Sequence, residues 1–225
     1  MNTMIHRTGL QTAAGLLALL LNLPAVAADE PARAYAGAQV GLAHLSAWPA
    51  QVGLGNGVNL DGRLTLRDRP LLGAVLGRER GAVRYELELQ QGAHALRSIE
   101  LSPLQADTGG RVRWTAATAN AYRSVDLGER WRAYGALGLG WGRVKLPRAS
   151  FVDAGCDCFA AASGSGAVVQ ARLGLELQMA DGHRPFVQLG AISLPKASGG
   201  SADSHSVQYP RRTALLAGLG WRKRF

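Results

Sequence analysis

Between Leu215 and Phe225 apolar residues recur at every second position: Leu215, Ala217, Leu219, Trp221 and Phe225 share one parity, while Gly218, Gly220, Arg222 and Arg224 share the other. Lys223 alone departs from the apolar side. A period of two belongs to a β-strand whose two faces meet different surroundings, because successive side chains point to opposite sides of the pleat. The same rhythm runs from Trp131 to Gly142, setting Trp131, Ala133, Gly135, Leu137, Leu139 and Trp141 against Arg132, Tyr134, Ala136, Gly138, Gly140 and Gly142. Two tryptophans end that face. At ~3.3 Å rise and ~40° tilt, the ten residues between them span roughly 25 Å, the height of an apolar band between aromatic girdles in a membrane-spanning sheet. Hydrophobic residues make up 47% of the chain. Yet beyond residue 28 no apolar run reaches 18 residues, which excludes a helical membrane protein on length.

Six further segments carry the pattern or part of it, giving Ala34 to Leu45, Leu71 to Arg78, Ala82 to Gln91, Arg111 to Arg123, Trp131 to Val144, Ala167 to Met179, Pro185 to Leu194 and Val207 to Phe225. The second is apolar on both faces, and in the fourth Trp114 and Tyr122 fit either face. Short turns at Glu79 to Gly81, Gly128 to Arg130 and Ala180 to Arg184 alternate with long Gly, Ser and Pro-rich connections at Ser46 to Pro70, Gly92 to Gly110, Leu146 to Gly166 and Pro195 to Ser206. Short turns on one side and long exposed loops on the other predict an all-β fold: an eight-stranded antiparallel up-and-down transmembrane β-barrel. Closure leaves no unpaired backbone edge in lipid.

In such a barrel the polar parity points inward. Arg84, Glu86, Glu88, Arg172, Glu176, Arg222 and Arg224 are the interior charges, and eight strands leave room for little beyond side chains. A plugged lumen is therefore expected in preference to an open pore, with a narrow channel as the alternative. Trp131, Trp141 and Trp221 are the girdle residues.

At the amino end, His6 and Arg7 precede an apolar run from Ala13 to Leu21 and a small-residue exit at Ala25-Val26-Ala27. This reads as a cleaved secretory signal over residues 1–28, with the barrel domain in residues 29–225. Removing Arg7 leaves 24 basic against 16 acidic residues. The arginines are scattered through alternating segments, with no basic helix or aromatic RNA-binding motif, which argues against nucleic acid and for outer-membrane lipid and lipopolysaccharide as partners. Cys156 and Cys158 sit in the third long connection, where a local disulfide is expected in an oxidising compartment. Free thiols are the alternative. Two thiolates supply half of a tetrahedral metal site and no His lies near them, so neither metal nor cofactor is expected.

Several phrases carry a resemblance. Arg132 followed by Tyr134-Gly-Ala-Leu-Gly-Leu-Gly140, the earlier Asn120-Ala-Tyr122, Arg184-Pro-Phe186 opening a segment, and the terminal Phe225 resemble the OmpA/Opa-like outer-membrane barrels of the porin family. The likeness lies in strand rhythm and glycine placement across the mature chain, and Lys223 departs from it. It implies location in the bacterial outer membrane, and it makes Phe225 an assembly signal read by the barrel assembly machinery.

One pair of residues bears on chemistry. His44 and Ser46, two apart, share the lipid-facing side of the first segment, resembling the His-x-Ser of outer-membrane lipid A deacylases. A Ser nucleophile needs His as base and an acid to orient it, and no Asp or Glu sits nearby in sequence; Ala47 stands where those enzymes have Asn. The expectation is a non-enzymatic barrel serving envelope integrity, surface interaction or adhesion through loops that meet an unidentified extracellular ligand. A lipid A acyl hydrolase is the alternative from another class.

Overall fold

The computed structural model describes residues 31–45, 47–54, 58–151, 155–200 and 206–225; among these there are strands and turns and no helix. The expected signal, and with it Ser46, lies outside the described residues. In chain order the strands are β1 (Arg33–His44), β2 (Ala47–Gly53), β3 (Asn59–Asp68), β4 (Pro70–Arg80), β5 (Val83–Leu101), β6 (Leu104–Asp107), β7 (Arg111–Asp126) and β8 (Trp131–Leu146). There follow β9 (Ala149–Phe151), β10 (Cys156–Phe159), β11 (Ala162–Leu177), β12 (His183–Leu194), β13 (Ala197–Gly200), β14 (Ser206–Tyr209) and β15 (Arg212–Arg224). Thirteen of these join in one antiparallel sheet, and β9 pairs with β10 apart from it.

β1 lies between β15 and β4, and the pairing runs on from β4 through β5, β7, β8 and β11 to β12, which pairs with β15. Turns at one end are short. Gly81 adopts φ 57° between β4 and β5, a left-handed conformation that glycine takes without a Cβ clash. The turn is tighter than expected from sequence: Glu79 and Arg80 belong to β4, and Glu79 is buried.

Burial alternates along the strands in the sense opposite to a soluble protein. Neighbours Leu87 and Glu88 on β5 are 67% and 3% exposed. Leu76, Leu139, Leu189, Leu215 and Leu219 lie exposed on the outer face, while Arg84, Glu86, Arg172, Glu176 and Arg222 are buried within. An apolar outside around a polar inside is stable only where the surroundings are apolar too, which is the condition in a lipid bilayer. The two ambiguous segments resolve by parity: Leu71 and Val75 are buried while Leu72 and Leu76 face outward, and Trp114 and Tyr122 are both buried.

The long connections differ from the exposed loops expected of them. β5 runs on to Leu101, β3 pairs with it, and β2, β14 and β13 continue the wall in turn until β13 meets β11. Val207 to Phe225 is accordingly two strands, β14 and β15, separated at Pro210 and Arg211. The reason is packing: Trp48, Val52, Leu64, Ile99, Val112, Phe159, Leu194 and Val207 from these segments form one buried apolar cluster. Burying such side chains contributes about 1.5–3 kcal/mol each, enough to order segments whose composition reads as loop.

Candidate functional site

Inward glycines make room for the interior. Tyr35 faces Gly77, Trp114 faces Gly92, Tyr134 faces Gly174 and Phe186 faces Gly220, each directly across a strand pair. A Cβ at any of the four would run into the ring opposite. The glycine-rich parity thus seats aromatic rings flat against the wall.

Between these rings lies an ion cluster. Glu176 accepts from Arg84 at 2.9 Å, from Arg222 at 3.2 Å and from Arg184 at 3.2 Å. Glu86 accepts from Arg222 Nε at 3.2 Å and from the hydroxyls of Tyr35 and Tyr122 at 2.9 and 2.5 Å. Arg222 stacks on Phe186 with 3.8 Å between Cζ and the ring centre, and Arg84 on Tyr122 at 4.2 Å. Glu79, which the sequence reading placed in a turn, receives Arg184 at 2.5 Å and Arg224 at 3.3 Å.

One tier further out, Glu88 accepts from Arg172 at 2.6 Å, Gln39 at 2.5 Å, Gln170 at 2.9 Å and Asn120 at 3.1 Å. Gln188 donates to Gln39 at 2.7 Å and Tyr134 to Gln188 at 3.2 Å. Four buried carboxylates, Glu79, Glu86, Glu88 and Glu176, therefore balance four buried guanidinium groups, Arg84, Arg172, Arg184 and Arg222. Pairing of this kind offsets part of the desolvation of each charge, although among the described residues Arg84 Nε and Nη2, Arg172 Nε and Arg222 Nη2 are buried without a hydrogen-bond partner. Tyr35, Gln39 and Gln188 were not singled out from sequence, although their parity carried the signal; Asn120 and Arg184 entered only through the family resemblance, and Glu79 only as a turn residue. Above the amide tier the apolar cluster fills the space beyond.

His44 lies on the outward, lipid-facing side near the outer end of β1, and its Nδ1 is 2.8 Å from Asp68 Oδ2. This corrects the expectation that no acid stands near it. The β1–β4 register ends with Leu42 opposite Pro70, so the last residues of β1 come beside Asp68 at the end of β3. His94 Nδ1 lies 3.9 Å from the other oxygen of Asp68. Cys156 and Cys158 lie on β10 with their Cα atoms 5.1 Å apart, within the span a disulfide needs, and Asp157 between them accepts from Ser150 on β9.

Trp131, Trp141 and Trp221 all point outward, 49%, 61% and 46% exposed. Trp221 donates to His183 at 2.8 Å, and Lys223 beside it reaches the Asp181 carbonyl at 2.8 Å. Lys223 can interrupt the apolar parity because it lies at the strand end, within reach of a turn carbonyl. Phe225 is 75% exposed, its N–H bonded to the Ala34 carbonyl at 2.9 Å.

No family model matches the sequence, and no curated protein matches it significantly. Solved structures do. The Neisserial surface protein A is 12% identical, covering 87% of this chain and all of its own, with a TM-score of 0.50. The outer membrane protein OprG from Pseudomonas aeruginosa is 11% identical, covering 87% of this chain and 97% of its own, with a TM-score of 0.60. At such identities the likeness is one of fold. With the apolar outer face and polar interior already described, the chain has the fold of the small outer-membrane β-barrels and is located in the bacterial outer membrane.

Proposed function

We propose that the mature chain is a closed eight-stranded barrel with a sealed lumen, which acts without catalysis by holding a folded extension at the cell surface for envelope integrity and surface contact. The observation that carries this reading is the interior: the Glu86, Glu88 and Glu176 clusters bridge strands across the lumen, and an apolar core caps them. The closed count of eight rests on the cyclic pairing of β1, β4, β5, β7, β8, β11, β12 and β15. A second reading, hydrolysis of a lipid A acyl chain, draws on the 2.8 Å contact of His44 Nδ1 with Asp68, an orientation that suits a general base. Ser46, its expected nucleophile, lies outside the described residues.

Lipid A mass and survival in detergent, compared in cells with and without the protein, separate the two. Unchanged lipid A with lowered survival in the deletion supports the structural role. An acyl chain missing only from cells that carry the protein supports the hydrolase.

A further inference from the structure

Beyond Trp141 the outer wall turns from apolar to basic within two residues. On β8 the side chains of Trp141, Arg143 and Lys145 point outward in succession, and all are exposed. The strand register sets Gln91, Thr115, Arg143 and Ser165 in one cross-strand row, and Ala93, Arg113, Lys145 and Ser163 in the next. Arg111 follows one row above, two residues before Arg113 on β7.

This placement is unfavourable by itself. Arg113 and Lys145 are directly opposed, so their Cβ atoms lie ~4.5–5.5 Å apart, and like charges so placed destabilise a sheet. Arg143 stands one row below, about 7 Å along the strand. Elsewhere the part-buried Arg132 pairs with Asp126 and the exposed Arg148 with Asp157. Among the described residues none of Arg111, Arg113, Arg143 and Lys145 forms an ion pair. No Asp or Glu occupies an outward position in these rows.

We propose that Arg111, Arg113, Arg143 and Lys145 bind the phosphate groups of a phosphorylated glycolipid, lipid A, in the outer leaflet beside the barrel. The proposal rests on the outer-membrane location. The four cations begin where the apolar band ends, at the level of lipid headgroups, so membrane phosphates are the anions closest to them. Guanidinium groups meet phosphate with two parallel N–H bonds and the ammonium adds a point charge. Thr115, Ser163 and Ser165 flank the cations with hydroxyl donors. The aliphatic stems of Arg143 and Lys145 can lie along the lipid while their heads stay at the interface.

The test is native mass spectrometry of the full mature chain in detergent, offered either bis-phosphorylated lipid A or the same lipid with both phosphates removed. The triple variant Arg113→Gln, Arg143→Gln, Lys145→Gln is compared with Arg78→Gln, Arg130→Gln, which removes two exposed cations at the opposite end. Heat-modifiable migration on an unboiled gel establishes that each variant is folded. Wild type and the opposite-end variant should retain phosphorylated lipid A, and the triple variant about tenfold less, equivalent to ~1.4 kcal/mol. Retention should also fall with added salt. Undiminished retention by the triple variant, or equal retention of the dephosphorylated lipid by wild type, overturns the proposal. Recovery of wild-type protein in the soluble periplasmic fraction overturns instead the membrane location on which it rests, before any lipid is added.

Discussion

Arg172 donates from Nη2 to Glu88 Oε1 across 2.6 Å, and neither side chain meets solvent. Arg172 belongs to β11 and Glu88 to β5, strands separated in the wall by β7 and β8. The bond therefore crosses the interior instead of running along the wall. Gln39 on β1 reaches the same carboxylate from another direction, so one glutamate ties together strands from separate parts of the barrel.

Removing that carboxylate should be costly in a specific way. Glu88→Ala leaves Arg172 buried without its counter-charge, a change worth about 3–5 kcal/mol of destabilisation. Replacing both partners, as Glu88→Leu with Arg172→Met, should recover most of the loss, because no unpaired charge remains. The measurement is the urea midpoint of the heat-modifiable band in detergent. A Glu88→Ala barrel as stable as wild type would show that the interior is solvated.

The outer extension offers a second check. Trp48 is fully buried and donates from its indole to the Pro210 carbonyl at 2.8 Å, joining β2 to the chain just before β15. Trp48→Ala should loosen β2 and β3 by about 3–5 kcal/mol while leaving the inner tiers intact. Trypsin added to intact cells should then cut at Arg63 and Arg67 in the variant and spare both in wild type. Equal cutting of the two proteins would return this segment to the exposed loop that its composition suggests.

The difference between what the sequence revealed and what it hid lies in the kind of signal. Parity along a strand is local, so Leu87 outside and Glu88 inside could be read from adjacent letters. The outer core was legible in the same way only in part: Trp48, Ala50 and Val52 alternate with Pro49, Gln51 and Gly53, but proline and glycine there mark a loop by composition. Apolar burial against distant segments outweighed that local preference. Asp68 was missed because its meeting with His44 depends on the β1–β4 register, which an intervening hairpin conceals. The partner of each interior charge depends on which strands face one another across the lumen, and no single segment carries that information.

Phe225 separates folding from delivery. Its ring is exposed on the outer face and its backbone is tied to Ala34, so deleting it should cost only about 1–3 kcal/mol of barrel stability. If the terminal aromatic is also the assembly signal implied by family resemblance, its deletion should sharply lower the outer-membrane level in cells, while the same variant refolded in detergent still shows heat-modifiable migration. Normal levels in cells would leave Phe225 as an interfacial anchor alone.

Whether the lumen is sealed can be read in one measurement, single-channel recording of the purified, folded chain in a planar bilayer. Four buried carboxylates matched by four buried guanidinium groups, with an apolar core beyond them, predict no steady ion conductance above the bare membrane. The Glu88→Ala variant, with one cross-lumen tie removed, should begin to show brief openings. Steady, large channels in the wild-type protein would contradict the sealed barrel and turn its function from surface contact to transport.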